Sequence, residues 1–273
     1  MDKTDCGRGS RRMKTIQIKV IGIVCLFALK SFSAWSWGTT GHRVIGEMAE
    51  TQLTDVARER INAILGNASL AMVSNWGDEV RSDSAYDYTS TWHYTNIEGG
   101  LTRAAFDTLA LHISSGQNIY MIVTLVDYLI QIPNDTAMLK LFIHIVQDMH
   151  CPMHLGHPDD RGGNSVQITW FRNPTNLHSL WDNALIDSQK LSYTEYANHL
   201  MRIYPLQKQL FDGKTNTILD WAWKVYGNTQ IVYDSATETA KSYEYIYQYK
   251  SLWERSFVEA AEHLAALLNF IYG

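Results

Sequence analysis

Cysteine is scarce. The 273 residues hold three, Cys6, Cys25 and Cys151, and the first two fall in a basic N-terminal stretch. Once that stretch is removed Cys151 stands alone, so no internal disulfide can form and the fold must rest on a hydrophobic core. The 237 residues from position 37 onward are enough to bury one. Long apolar runs are missing too: Val20 to Leu29 spans ten residues, half of the roughly 20 a helix needs to cross a bilayer. There is no low-complexity linker, no repeat of solenoid length and no composition shift after residue 37, which points to one domain. With 46% hydrophobic and 19% charged residues, disorder is excluded as the main state. Basic charge is the last absence. Seven of the 23 Lys and Arg but only two of the 28 acids lie in residues 1–36, leaving 16 against 26, a balance of −10. Such a chain is ill suited to hold a polyanion on a basic surface, so an anionic ligand needs another source of positive charge.

What is present begins with a leader. Basic residues end at Lys19, the apolar run follows, and Ala34 and Ser36 occupy the −3 and −1 positions of a cleavage site, so residues 1–36 read as a signal peptide and Trp37 as the new N-terminus. The alternative is an uncleaved signal-anchor helix. Cleavage implies export to the periplasm or beyond, with no membrane attachment afterwards.

Helical spacing of apolar residues recurs in Val44–Leu53, in Val56–Leu65 between the N-cap candidate Thr54 and Gly66, and in Ile119–Ile132. Thr136–Met149 is apolar on most sides and stops before Pro152, as a buried central helix would. Further helices are expected over 177–186, 193–210, 217–226, 235–249 and 252–271. The one good strand pattern is 165–171, behind the turn signal Gly162-Gly163-Asn164. The expected fold is all-α, a single mostly helical domain over 37–273 with a short β-hairpin.

On the central helix, His144 and Asp148 are four residues apart and share a face. A core hydrogen bond would account for one such pair. The spacing repeats in His178 and Asp182, however, with His154 between, and imidazole and carboxylate are the usual ligands of catalytic zinc. Upstream, Asp78 and His93 each sit near a Trp, and Trp37-Gly-x-x-Gly-His42 begins at the cleavage point, where a free amine and carbonyl could chelate a metal together with His42.

In order, Trp37-Gly-x-x-Gly-His42, Trp76-x-Asp78, His93-Tyr-x-Asn96, His144-x3-Asp148-x3-Pro152-x-His154, Gly162-Gly163-Asn164 and Asn176-Leu177-His178-x3-Asp182 resemble the S1/P1 nuclease family. The motifs end near residue 182. The resemblance implies a phospholipase C/P1 nuclease-like fold and an endonuclease that cuts single-stranded DNA and RNA to 5′-phosphate products, with 3′-nucleotidase activity in its range. It also implies three zinc ions: one on Asp78, His93, His144 and Asp148, one on His154, His178 and Asp182, and one on the amine and carbonyl of Trp37 with His42 and a shared Asp148. Their formal charge would supply what the acidic chain lacks. Gly163 and Asn164 are the implied substrate contacts, and no stable protein partner is implied, so a monomer is expected. Trp76, Trp92, Tyr94 and Trp170 are candidates for stacking on bases or for the core.

The chain departs from the family in two ways. Asn96 stands where relatives generally carry an Asp beside the attacking water, and an amide can orient water but cannot take its proton. The disulfides of eukaryotic members are absent. Two other functions fit parts of the pattern: a zinc-dependent phospholipase C, which would be expected to use Glu in place of Asp182, and a non-catalytic metal-binding protein.

Overall fold

The computed structural model describes Met1, residues 38–112 and residues 116–273. The leader and Trp37 lie outside the described residues. The helices are α1 (Thr39–Thr51), α2 (Asp55–Leu65), the single turns α3 (Leu70–Val73) and α4 (Trp76–Glu79), α5 (Arg103–Ala110), α6 (Asn118–Gln131) and α7 (Thr136–Asp148). A hairpin of β1 (Gln167–Trp170) and β2 (Asn173–Asn176) follows, then α8 (Leu177–Ser179), α9 (Leu185–Asp187), α10 (Tyr193–Ile203), α11 (Thr215–Asp234) and α12 (Ser242–Tyr272). The mostly helical expectation holds, and the strands pair antiparallel with Gln167 opposite Asn176.

The core gathers around α7. Asp135 starts this helix by accepting from the backbone N–H groups of Ala137 and Met138, and every residue from Leu141 to Asp148 is buried. α7 packs against α1, α3, α4, α6 and α12. Full burial of a side chain such as Phe142 or Ile145 contributes about 1.5–3 kcal/mol. The helix ends because Pro152 drives Cys151 into extended backbone, ψ 117°. A 3-10 turn, Pro152–Leu155, then carries His154 back toward the helix end. Thr54 caps α2 as expected, and Gly66 closes it at φ +64°.

Several boundaries differ from the sequence pattern. The helices expected at 235–249 and 252–271 are one, α12, preceded by a 3-10 turn at Ser235–Glu238; no Gly or Pro lies between residues 249 and 252 to stop it. α10 ends at Ile203 rather than 210, since Pro205 bars helical backbone at Tyr204. α11 runs eight residues beyond the expected 226, and α5 was not anticipated. Between α8 and α9 the chain widens into a π-turn, Leu180–Ala184, which holds Asp182.

Candidate metal centre

Asp148 is completely buried, and its two oxygens face different histidines. Oδ2 lies 3.0 Å from His93 Nδ1 and 3.1 Å from His144 Nε2; Oδ1 lies 3.4 Å from His42 Nε2 and 3.5 Å from His154 Nδ1. Asp78 Oδ1 closes the first group, 3.8 Å from His144 Nε2 and 3.9 Å from His93 Nδ1. On the far side Asp182, also buried, has Oδ1 3.8 Å from His154 Nε2 and Oδ2 3.7 Å from His178 Nε2. Donors around a tetrahedral zinc stand about 3.3–3.6 Å apart, so these spacings suit metal ligation. The structure thus brings together eight of the nine expected ligands; the ninth, Trp37, lies outside the described residues. Gly38, the first residue beyond it, donates its N–H to the Asp182 carbonyl at 2.6 Å.

Two of these histidines have the outer nitrogen engaged as metal-binding histidines require, whereas the outer Nε2 of His93 is buried without a hydrogen-bond partner. His144 Nδ1 donates to the Ser74 carbonyl at 2.7 Å, and His178 Nδ1 to the Gly162 carbonyl at 2.7 Å, which leaves each Nε2 turned to a carboxylate. Asp78 Oδ1 and His154 Nδ1 are buried without a hydrogen-bond partner. Buried polar atoms gathered this way are costly unless a cation joins them, so the donor set fits a metal. Without metal, a proton takes that place. Burial works against charge on His144, but Asp148 and Asp78 outweigh it and raise its pKa to about 9. Burial holds His42 and His154 neutral, each with a pKa of about 3. Burial also pushes Asp182 well above the ordinary carboxylate range, whereas His144 overcomes the burial of Asp148 and holds it well below.

Close packing sets the ring of His144. A Cβ added to Gly77 in α4 would lie 2.6 Å from His144 Cγ, and the ring is pinned from behind by Ser74. Gly77→Ala, ordinarily favourable in a helix by about 1 kcal/mol, is therefore expected to destabilise the chelator-treated protein by about 1–3 kcal/mol. Urea unfolding measures it, and a gain in stability would contradict the packing argument.

The remaining candidates separate. Asn96 is half-buried on a segment whose neighbours Thr95 and Ile97 donate to the carbonyls of His154 and Gly156. This puts it beside the donor cluster. Gly162 and Gly163 have φ of +65° and +81°, and added Cβ atoms would meet Met153, so both are required by the backbone turn itself. Asn164 donates its amide to the Arg161 carbonyl at 2.8 Å. Trp92 and Trp170 are core residues, edge-on to Tyr88 and Tyr245; Trp76 and Tyr94 are half-buried. His150, two residues beyond Asp148, meets His263 at 2.8 Å, and His263 stacks on Trp221.

The sequence reading missed three groups. Cys151 Sγ lies 3.9 Å from Asp182 Oδ1. Ser74 and Gln147 lie behind the histidines, and only the burial of a Gln on an apolar helix could have pointed to them.

Clustered His and Asp side chains at the C-terminal end of the central helix of a helical domain could hold a metal ion. The S1/P1 nuclease family model matches residues 37–273, and the chain belongs to that family. Among similar proteins, endonuclease 5 of Arabidopsis thaliana is 27% identical, covering 88% of this chain and 91% of its own. Nuclease S1 of Aspergillus oryzae is 25% identical over 87% of this chain and 92% of its own. Nuclease P1 of Penicillium citrinum is 29% identical over 54% and 57%.

Proposed function

We propose that the mature chain, residues 37–273, is an exported zinc-dependent phosphodiesterase that cleaves single-stranded DNA and RNA to 5′-phosphate products and also removes 3′-phosphates from nucleotides. The observation that carries this reading is the division of Asp148 between two histidine groups, with the Asp182 group beside them. Asp78, His93, His144 and Asp148 would hold one ion, His154, His178 and Asp182 a second, and Trp37 with His42 and Asp148 a third. Bound there, zinc supplies positive charge toward phosphate and lowers the pKa of water to about 7.

The chain's own groups orient and exclude. Asn96 can donate or accept a hydrogen bond at the cluster but cannot act as a base at neutral pH, so its role is to align water or phosphate. Asn164, at the exposed turn, would contact base or phosphate. Half-buried Trp76 and Tyr94 supply aromatic faces that suit unstacked bases over a duplex. Among the described residues no helix is long and apolar enough to cross a membrane. Export itself rests on the leader pattern.

Elemental analysis paired with hydrolysis of denatured DNA tests the proposal. About three zinc ions per chain and cleavage of single strands are expected. Zinc with hydrolysis of phosphatidylcholine alone would favour a phospholipase, and zinc without either activity a binding protein.

A pH dependence follows from His144. In the zinc-free protein its pKa is about 9, and ligation needs the neutral ring. Below that pH the proton must leave as zinc enters, so apparent affinity falls about tenfold for each unit of acidification and is steady only above it. Calorimetric titration at pH 7 in two buffers of different ionisation enthalpy should register release of at least one proton per chain; no release would contradict the charged His144.

A further inference from the structure

Behind the donor cluster a chain of hydrogen bonds runs from a backbone carbonyl to His42. The Ser74 hydroxyl donates to the Leu70 carbonyl at 2.7 Å, within the short helix α3 and the residue that ends it. With its hydrogen committed, that oxygen accepts, and it does so from the Gln147 side-chain amide at 2.7 Å. This fixes which end of the Gln147 amide is nitrogen. The carbonyl end, Oε1, lies 2.6 Å from His42 Nδ1, so the hydrogen of the ring belongs on Nδ1. The remaining nitrogen, Nε2, is the one that faces Asp148 Oδ1 at 3.4 Å. Every side chain in the series is buried, and α1 comes so close at Gly46 that a Cβ there would lie 2.5 Å from the Ser74 hydroxyl.

We propose that Gln147 is a positioning residue for the metal centre: through Ser74 it fixes the tautomer of His42, so that Nε2 presents its lone pair to the ion shared with Asp148. The proposal rests on the metal reading above and adds a residue that acts through another. Ser74 takes both sides of the cluster in hand, because its carbonyl also accepts from His144 Nδ1. One residue therefore orients a ligand of each of the two ions that Asp148 would bridge. His42 and His144 stack with ring centroids 4.3 Å apart, which keeps the two orientations mutually consistent.

The test uses the zinc-loaded mature protein and two readouts other than activity: long-range 1H–15N spectra of the imidazoles, and competition with a chelator for the weakest zinc. Wild-type His42 should carry its hydrogen on Nδ1. Gln147→Leu, close in volume but with no acceptor, should lose that preference and bind one zinc 10–100-fold more weakly, the range usual for outer groups on metal-binding histidines. Gln147→Glu keeps an acceptor for Nδ1–H and should retain both tautomer and zinc. A packing role would give the reverse order, with Leu tolerated and the buried Glu harmful. If Gln147→Leu does not fold, Ser74→Ala serves instead: it removes the hydroxyl, leaves the carbonyl to His144, and should release the Gln147 amide and weaken the same single zinc. A wild-type His42 with its hydrogen on Nε2, or unchanged zinc affinity in folded Gln147→Leu, would overturn the proposal. Should the wild-type chain hold no zinc, the metal reading fails, and the His42 tautomer in the same spectra still decides the relay.

Discussion

Asp148→Asn is expected to remove about two zinc ions per chain and to depress hydrolysis of single-stranded DNA by more than about 100-fold, beyond the loss typical of an outer group. The reason is the division of its carboxylate. Oδ2 serves His93 and His144, while Oδ1 faces His42 and His154. An amide is neutral, ligates zinc poorly, and presents N–H where a lone pair is required. Asp182→Asn makes the informative comparison. Its carboxylate reaches only His154 and His178 among the histidines, so it should weaken one ion and leave the other two. Zinc content and single-strand hydrolysis of both variants decide the matter. Folded Asp148→Asn with all its zinc and near-normal turnover would show that Asp148 merely hydrogen-bonds His144.

The second large effect is expected from the N-terminus. A protein that retains a residue or tag before Trp37 should lose about one zinc and most activity, because an α-amine joined in a peptide bond no longer ligates metal. Gly38 supplies the structural reason to expect a ligand here. Its N–H is bonded to the Asp182 carbonyl, and the space where a side chain would stand is filled by Asn183. Comparing zinc per chain in tagged and processed protein measures the effect. Full zinc and full rate with the extension in place would remove the amine from the ligand set.

Part of the cluster was legible in spacing, while the grouping with Asp78 and His93 was reached through the family resemblance. His144 and Asp148 share a helical face, as do His178 and Asp182, and the structure brings these pairs to the two ends of one cluster through His154. The hairpin was legible for a similar reason, since alternation in β1 follows behind Gly162-Gly163. Helix ends were harder. The break before Ser242 lies in a stretch with no Gly or Pro, where tertiary packing decides the matter rather than local preference. Gln147 and Ser74 carry no spacing rule, because a group that orients a ligand can come from any segment that packs behind it. His150 shows that nearness in sequence does not place a side chain at the cluster. It is two residues from Asp148, yet it lies in the turn after α7 and meets His263 instead.

α7 has a consequence for how this scaffold can diversify. Two donors, His144 and Asp148, sit one helical turn apart on a rod whose every neighbour is packed, so the helical rise sets their separation, about 6 Å along the axis. No loop is the ruler. The exposed stretch Glu98–Gly100 can change charge without altering the distance between His144 and Asp148, whereas the turn after His157 is tied to the cluster through the Gly162 carbonyl that holds His178. The spacing of this pair is therefore written in the pitch of a buried helix and not in any turn at the surface.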